Sequence, residues 1–270
     1  VVPLTFLFWN LNKRPLEGIV ASLVDEHEVD VLILAECEIP TATMLQTLNP
    51  RGDAEFDFVG GICKRIDIYT RFSANFLQAQ HEADHFTIRE LGLPVQTEIL
   101  LVMAHFSPSK LHRSHDHPPP QCVEFVRTIQ DVEEKVGHKR TLVVGDLNMD
   151  PFDPGLVLPY GFNAVMTQQK AKTQQRTVGG TPYPFFYNPM WSRFGDGNPG
   201  PPGTYYYGSD DTSIYWHMLD QVLIRPALLK RFRNKDLTIL TKAGTMSLVS
   251  EQGLPNASDH LPIIFKLNLS

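Results

Sequence analysis

The sequence predicts a layered α/β fold, and three observations predict it. Residues 4–35 read strand, helix, strand. A second amphipathic helix leads into another buried strand across residues 122–146. Shorter strand candidates with close turns lie between, the pattern of antiparallel pairing.

The elements follow in order. Residues 4–8 are an apolar strand that ends in Trp9-Asn10-Leu11-Asn12. Pro15 suits a first helical turn, and Leu16, Ile19, Val20, Leu23 and Val24 then recur with the period of one helix face. Residues 31–35 form a second buried strand, ending at Glu36. Short strands are expected at 57–59, 66–69 and 73–77, and a longer one at 97–104, ending in His105. A polar loop follows, with Lys110, His112, Arg113, His115 and His117. Cys122, Phe125, Val126, Ile129, Val132 and Val136 give the second helix, which Gly137 stops. Residues 141–144 are apolar or β-branched throughout, a strand buried on both faces. Gly145 is expected to turn the chain at its end, and Asp146 and Asn148, two apart in extended backbone, point the same way. Taken alone, Asp and Asn there are ordinary turn formers.

From 161 to 211 periodicity dissolves into Pro, Gly, Asn and Tyr. A structureless loop of that length is functional or disordered. Its aromatics, Phe185, Phe186, Tyr187, Trp191 and Tyr205 to Tyr207, argue for order. Residues 218–224 are strand-like with Asp220 inside, and Ser258-Asp259-His260 precedes a last strand at 261–267.

The 270 residues contain no Gly/Ser linker, charge block or repeat, so one domain over 1–270 is expected. A hydrophobic share of 42% and a charged share of 20% are those of an ordinary globular protein. The net charge is -6, whereas proteins that grip long nucleic acid through many phosphates usually carry a basic face. Any basic strip must therefore be local, or metal ions must neutralise phosphate. Cys37, Cys63 and Cys122 match neither a zinc spacing nor a disulfide framework and read as reduced thiols. No apolar run approaches the roughly 20 residues of a membrane span. With no signal peptide visible, the expected location is cytoplasmic.

The polar residues stand at strand ends, which converge on one rim of a layered sheet. A buried carboxylate such as Asp220 needs a cation or donor beside it. The set Trp9-Asn10-Leu11-Asn12, Glu36, His105, Gly145-Asp146-Leu147-Asn148, Leu219-Asp220 and Ser258-Asp259-His260 resembles the endonuclease/exonuclease/phosphatase superfamily. That group includes deoxyribonuclease I-like and exonuclease III-like nucleases, sphingomyelinases, inositol-polyphosphate 5-phosphatases and deadenylases. The motifs occur in family order and span residues 9–260.

The resemblance implies a DNase I-like four-layer α/β sandwich, two central mixed or antiparallel sheets flanked by helices. It also implies hydrolysis of a phosphate ester by a metal-activated water. By the same resemblance Glu36 is the principal ligand of Mg²⁺ or Mn²⁺, completed by Asn12 and Asp259, since these ions take oxygen ligands and keep several waters. His260 contacts phosphate or acts as base, oriented by Asp220; Asp146 positions or deprotonates the water. Asn10 and Asn148 donate to phosphoryl oxygens, and His105 contacts phosphate or protonates the leaving oxygen. Repair nucleases of the group often carry an acid at Asn12, a Gly at Lys13 and a Tyr at His105, so metal affinity is expected to be modest here.

The reading favoured is a nuclease acting on DNA or RNA. The alternative is a phosphodiesterase or phosphatase for a small or lipid ester, which the net charge supports. A catalytically dead binding module is a third reading, against which the complete set of acids and histidines argues. Lys170, Lys172, Arg176 and Arg193, interleaved with Tyr205 to Tyr207, read either as a basic and aromatic rim for single strands or exposed bases or as a solvated loop.

Overall fold

The computed structural model describes residues 3–52, 55–107, 117–197, 199–209 and 213–269. β1 (Leu4–Asn10) and β2 (Val31–Ala35) are buried along their whole length and pair in parallel, joined by α1 (Glu17–Glu26). α1 buries Val20, Leu23 and Val24, the predicted face. After α2 (Thr41–Leu48), β3 (Asp57–Phe58) and β4 (Ile66–Thr70) extend this sheet in antiparallel pairing.

The chain then builds the second sheet with β5 (Leu77–Ala83), β6 (Phe86–Leu91) and β7 (Ile99–His105). α3 (Pro120–Val136), stopped by Gly137, leads to β8 (Thr141–Asp146), parallel to β7. Next come α4 (Pro154–Val157), β9 (Ala164–Val165), α5 (Gln168–Ala171), the hairpin β10 (Gln175–Val178) and β11 (Thr181–Pro184), and β12 (Phe186–Tyr187). A second hairpin, β13 (Tyr205–Tyr206) and β14 (Trp216–His217), precedes β15 (Asp220–Ile224), which lies antiparallel beside β8. β16 (Thr238–Ile239), a hairpin of β17 (Lys242–Ala243) and β18 (Met246–Ser247), and β19 (Ile263–Leu267) follow, with β19 antiparallel to β1.

Among the described residues the large sheets have six strands, ordered β16-β19-β1-β2-β4-β3, and seven, ordered β5-β6-β7-β8-β15-β12-β9. Side-chain alternation separates the layers. Leu101, Met103, Leu142, Val144, Val222 and Ile224 join Phe6, Phe8 and Phe265 in the core between the sheets. Their neighbours Leu100, Val102, Val143 and Leu223 face the other way, onto Phe125, Ile129 and Val132 of α3. With Val20, Leu23 and Met44 of α1 and α2 packed into the first core, the predicted four-layer sandwich results.

Several sequence expectations are corrected. Residues 74–76 are a 3₁₀ turn capped by the Ser73 hydroxyl, so the strand begins only at Leu77. β6 hides behind Arg89, a buried cation that ion-pairs with Glu82 and donates to the carbonyls of Leu77 and Gly60. α2 presents little apolar pattern because it buries only Met44 and Leu48. The last strand starts at Ile263, and Asp220 is the first residue of β15 rather than interior to a strand.

The described part of the 161–211 stretch is anchored by burial of Phe185, Phe186, Tyr187 and Met190. Its anchor is Arg225, which stacks on Phe186 at 3.8 Å, donates to the carbonyls of Pro184 and Phe185, and pairs with Glu133 of α3 at 2.8 and 3.1 Å.

Gly145 does not turn the chain. It lies within β8 opposite Ala104 and Gln221, and a Cβ there would stand 1.9 Å from the Ala104 carbonyl oxygen. Gly145→Ala is therefore expected to force β7 and β8 apart, costing about 2 kcal/mol or more and lowering the midpoint of urea unfolding. An unchanged midpoint would contradict the close strand approach.

Candidate active site

Three adjacent strands set three polar residues in a row. His105 ends β7 opposite Asp146 at the end of β8, and Asp146 stands opposite Asp220 at the start of β15. Residues directly opposite share a face, here the face toward the first sheet. All three are buried, with 6%, 1% and 0% of their surface exposed. Two carboxylates cannot be left there uncompensated, and the first sheet supplies the compensation.

At the end of β1, the Asn10 amide donates to Asp146 Oδ2 at 3.0 Å. From the turn before β19, His260 reaches Asp220 Oδ2 with Nδ1 at 2.8 Å and Asp146 Oδ2 with Nε2 at 3.9 Å. His260 is itself held in place. Trp9 Nε1 donates to its carbonyl at 2.9 Å, and the Ser258 hydroxyl ties its turn to the Asn10 carbonyl at 2.8 Å. His105 Nε2 lies 3.7 Å from Asp146 Oδ2 and 3.4 Å from Glu36 Oε1.

Asn12 and Glu36 both follow strand ends in the left-handed conformation, each with φ +46°. The Asn12 N–H donates to Asn10 Oδ1, and the Lys13 N–H donates to the Glu36 carbonyl, so the two turns brace each other. Asp259 Oδ1 is 3.2 Å from the Ser258 hydroxyl. Asn148 departs from expectation. At φ +49° the backbone is not extended; its N–H donates to Asp146 Oδ1 at 2.9 Å and its amide to the Phe106 carbonyl at 2.6 Å. The stretch is thus an Asx turn as well as part of the rim.

Electrostatics follow from burial and neighbours. Burial alone would lower the His260 pKa, but the carboxylates of Asp220 and Asp146 outweigh it and push it up to about 10. Burial raises Asp146 to about 7, with His260 opposing and Asp220 adding to the rise. Burial lowers His105, opposed by Glu36 and assisted by Arg65.

The endonuclease/exonuclease/phosphatase family model matches residues 7–260. The chain belongs to this family. The endonuclease domain of TRAS1, a telomere-specific non-LTR retrotransposon, superposes with a TM-score of 0.55 at 16% identity, covering 99% of this chain and 100% of that one. A protein of the same family from Bacteroides thetaiotaomicron gives 0.57 at 14% identity, covering 100% and 98%. D. rerio TDP2 complexed with single strand DNA product gives 0.56 at 14% identity, covering 99% and 100%. These likenesses establish the DNase I-like fold. A search of curated proteins by sequence finds no match.

Within this family member, the sequence-predicted residues separate into groups. Asn10, His105, Asp146, Asp220, His260 and Glu36 meet through the contacts above, while Asn12, Asn148 and Asp259 join the rim through backbone or Ser258. Among the described residues, Asp146, Asp220 and His260 have ligand atoms within 4.8 Å of one another; Glu36 and Asp259 fall outside that group.

Three of the four cations named for the rim are engaged within the protein. Lys170 lies over the Phe185 ring, while Arg176 and Arg193 donate to the carbonyls of Val157 and Asn234. Lys110, His112, Arg113 and His115 lie outside the described residues, and His117 is exposed. Sequence reasoning missed Asp150, which accepts from the Met218 N–H at 2.8 Å and meets His217 Nδ1 at 2.7 Å. Tyr205, placed by the sequence among the rim aromatics, has its ring 4.8 Å from that of His260. Asp150 is visible as the last acid of Asp146-Leu-Asn-Met-Asp150, but its partner lies 67 residues away.

The raised His260 pKa makes a testable statement. Because the folded value exceeds the unfolded one of about 6.5, the pair's stabilisation is complete below that value and is lost as pH rises through about 10. In Asp220→Asn the imidazolium resonance, followed by NMR, is expected to titrate near or below the ordinary histidine value. A titration unchanged from the parent would disprove the pairing.

Proposed function

We propose that the chain is a single metal-dependent catalytic domain over residues 1–270 that hydrolyses phosphodiester bonds in DNA or RNA, and that it works in the cytoplasm, where its free Cys37, Cys63 and Cys122 stay reduced. The observation that carries this reading is the buried chain Asp220–His260–Asp146, spaced 2.8 and 3.9 Å and steadied by Asn10 at 3.0 Å.

In this reading His260 works as an imidazolium. Asp220 holds Nδ1, which leaves Nε2–H to bind a phosphoryl oxygen as charge grows on it. Asp146, poised near neutral pH by burial, accepts the proton of the attacking water. Asn10 and Asn148 each spend one amide N–H on the protein, and a second N–H remains on each for phosphoryl oxygens. His105 contacts the phosphate or serves the leaving oxygen.

Hard oxygen donors on the rim, the carboxylates of Glu36 and Asp259 and the Asn12 amide, fit Mg²⁺ or Mn²⁺. The Glu36 side chain is 30% exposed and open to such an ion. The Asp146, Asp220 and His260 group fits it less well, because protonated His260 repels a cation. A bound ion there would act as a Lewis acid and lower the pKa of water.

Several features support nucleic acid. The family includes nucleases, and the superposed structures include a retrotransposon endonuclease and a TDP2 with single strand DNA product. The net charge of -6 favours the second reading, a small or lipid phosphate ester.

The test is cleavage of supercoiled plasmid and of labelled single-stranded DNA and RNA with Mg²⁺ or Mn²⁺. Asp146→Ala and His260→Ala are each expected to lower kcat/KM by about 10³-fold, and EDTA to abolish cutting. Full activity in either variant would refute the site, and full activity in EDTA the metal. Cleavage of sphingomyelin or inositol phosphates alone would favour the second reading.

A further inference from the structure

We propose that the β13–β14 hairpin is a stacking platform for unpaired nucleobases next to the scissile phosphate. The inference rests on the phosphodiesterase reading and narrows its substrate to strands whose bases are exposed.

The root of the hairpin is built into the catalytic wall. The Asp220 N–H donates to the Thr204 hydroxyl at 3.2 Å, and the Leu261 N–H donates to the Thr204 carbonyl at 2.8 Å. Tyr205 bridges to His260 through the backbone, and their rings lie 4.8 Å apart. On the opposite strand His217 is held by Asp150 at 2.7 Å. At Gly203 the backbones press so close that a Cβ would meet the His217 carbonyl oxygen at 2.5 Å. Rings on this hairpin are therefore fixed relative to His260.

Moving outward, Tyr206 packs against Trp216 at 5.4 Å and stacks with Tyr215 at 6.5 Å. Tyr207 and Tyr215 are 49% and 43% exposed, and the Tyr207 N–H donates to the Tyr215 carbonyl at 2.8 Å. Aromatic residues thus line the hairpin from its root beside His260 to the exposed Tyr207 and Tyr215.

The chemistry of the occupant follows from what the hairpin lacks. Residues 204–217 contain no Lys or Arg and two acids, Asp210 and Asp211. Anionic membranes and duplexes offer this surface chiefly phosphate charge, which is held by cations; a single strand adds base faces that need none. Uncharged faces of bases stack on aromatic rings irrespective of sequence, and only unpaired bases present those faces. The cation of the site lies by another strand end: Arg65 donates to the Ser107 hydroxyl at 2.6 Å, and its charge acts on His105.

The experiment compares oligothymidylate, the same strand in duplex with oligoadenylate, and bis(p-nitrophenyl) phosphate as substrates of the 270-residue chain. Tyr206→Ala and Tyr215→Ala are each expected to lower kcat/KM on oligothymidylate about tenfold more than on bis(p-nitrophenyl) phosphate, through KM, and Tyr→Phe variants to restore it. Tyr160→Ala, an exposed aromatic packed on Tyr183, should change neither rate.

Equal losses on the two substrates would mean a structural role and overturn the platform, as would parent-like variants or a preference for the duplex. Vesicle binding or dimerisation abolished by Tyr215→Ala would assign the surface to a lipid or a second copy instead. If the parent hydrolyses none of the substrates, the phosphodiesterase reading fails by itself. Trp216 fluorescence then still decides the platform: quenching by oligothymidylate that Tyr215→Ala weakens about tenfold supports it, and no quenching overturns it.

Discussion

The register of three strands is the constraint on which the rest depends. His105, Asp146 and Asp220 share one face only because β7 and β15 flank β8 in a fixed alignment. A slip by one residue would turn every side chain of the strand to the opposite layer, moving the Asp146 carboxylate against α3 and Gly145 or Leu147 into the site. Gly145 permits the alignment by letting β8 approach the Ala104 carbonyl. The tightness of the sheet and the placement of its polar residues are thus one requirement.

That requirement also explains why two sheets face each other here. Asp146 and Asp220 are too deeply buried to be tolerated alone. Among the described residues no Lys or Arg of the second sheet pairs with them, and a donor and an imidazolium come from across the core. Asn10 at the tip of β1 and His260 before β19 are neighbours because β1 and β19 are paired, and Trp9 and Ser258 lock that neighbourhood. The packing of apolar faces brings the sheets together, and the polar rim fixes how their ends align.

Much of this was legible in the sequence. The strands carrying Asn10, Glu36, His105 and Asp146 announce themselves as unbroken apolar runs, because a strand buried on both faces has no polar side to show. α1 and α3 are legible through their period. The strand β6 was not, since Arg89 interrupts its pattern and is neutralised by Glu82, a partner in another strand. The 161–211 stretch was opaque for a related reason: its short pieces owe their order to Arg225 and Glu133 beneath them. Asn148 shows the limit at the residue level, since the choice between extended chain and Asx turn depends on the Phe106 carbonyl that receives its amide. The pairing of Asp150 with His217 is likewise a product of the fold and leaves no trace in local spacing.

The locks around His260 join residues far apart in the chain, with separations of 251 for Trp9 and 248 for the bond between Asn10 and Ser258. Synthesis proceeds from the Asn10 end, so Asp146 and Asp220 exist on the ribosome well before the histidine that neutralises them. Until the turn at residues 258–260 emerges, the row of acids has no imidazolium, and water must solvate what the finished core excludes. The turn at residues 258–260 is therefore the piece that completes the site. Without that turn the acids at the ends of β8 and β15 lack their imidazolium, and the site is not assembled.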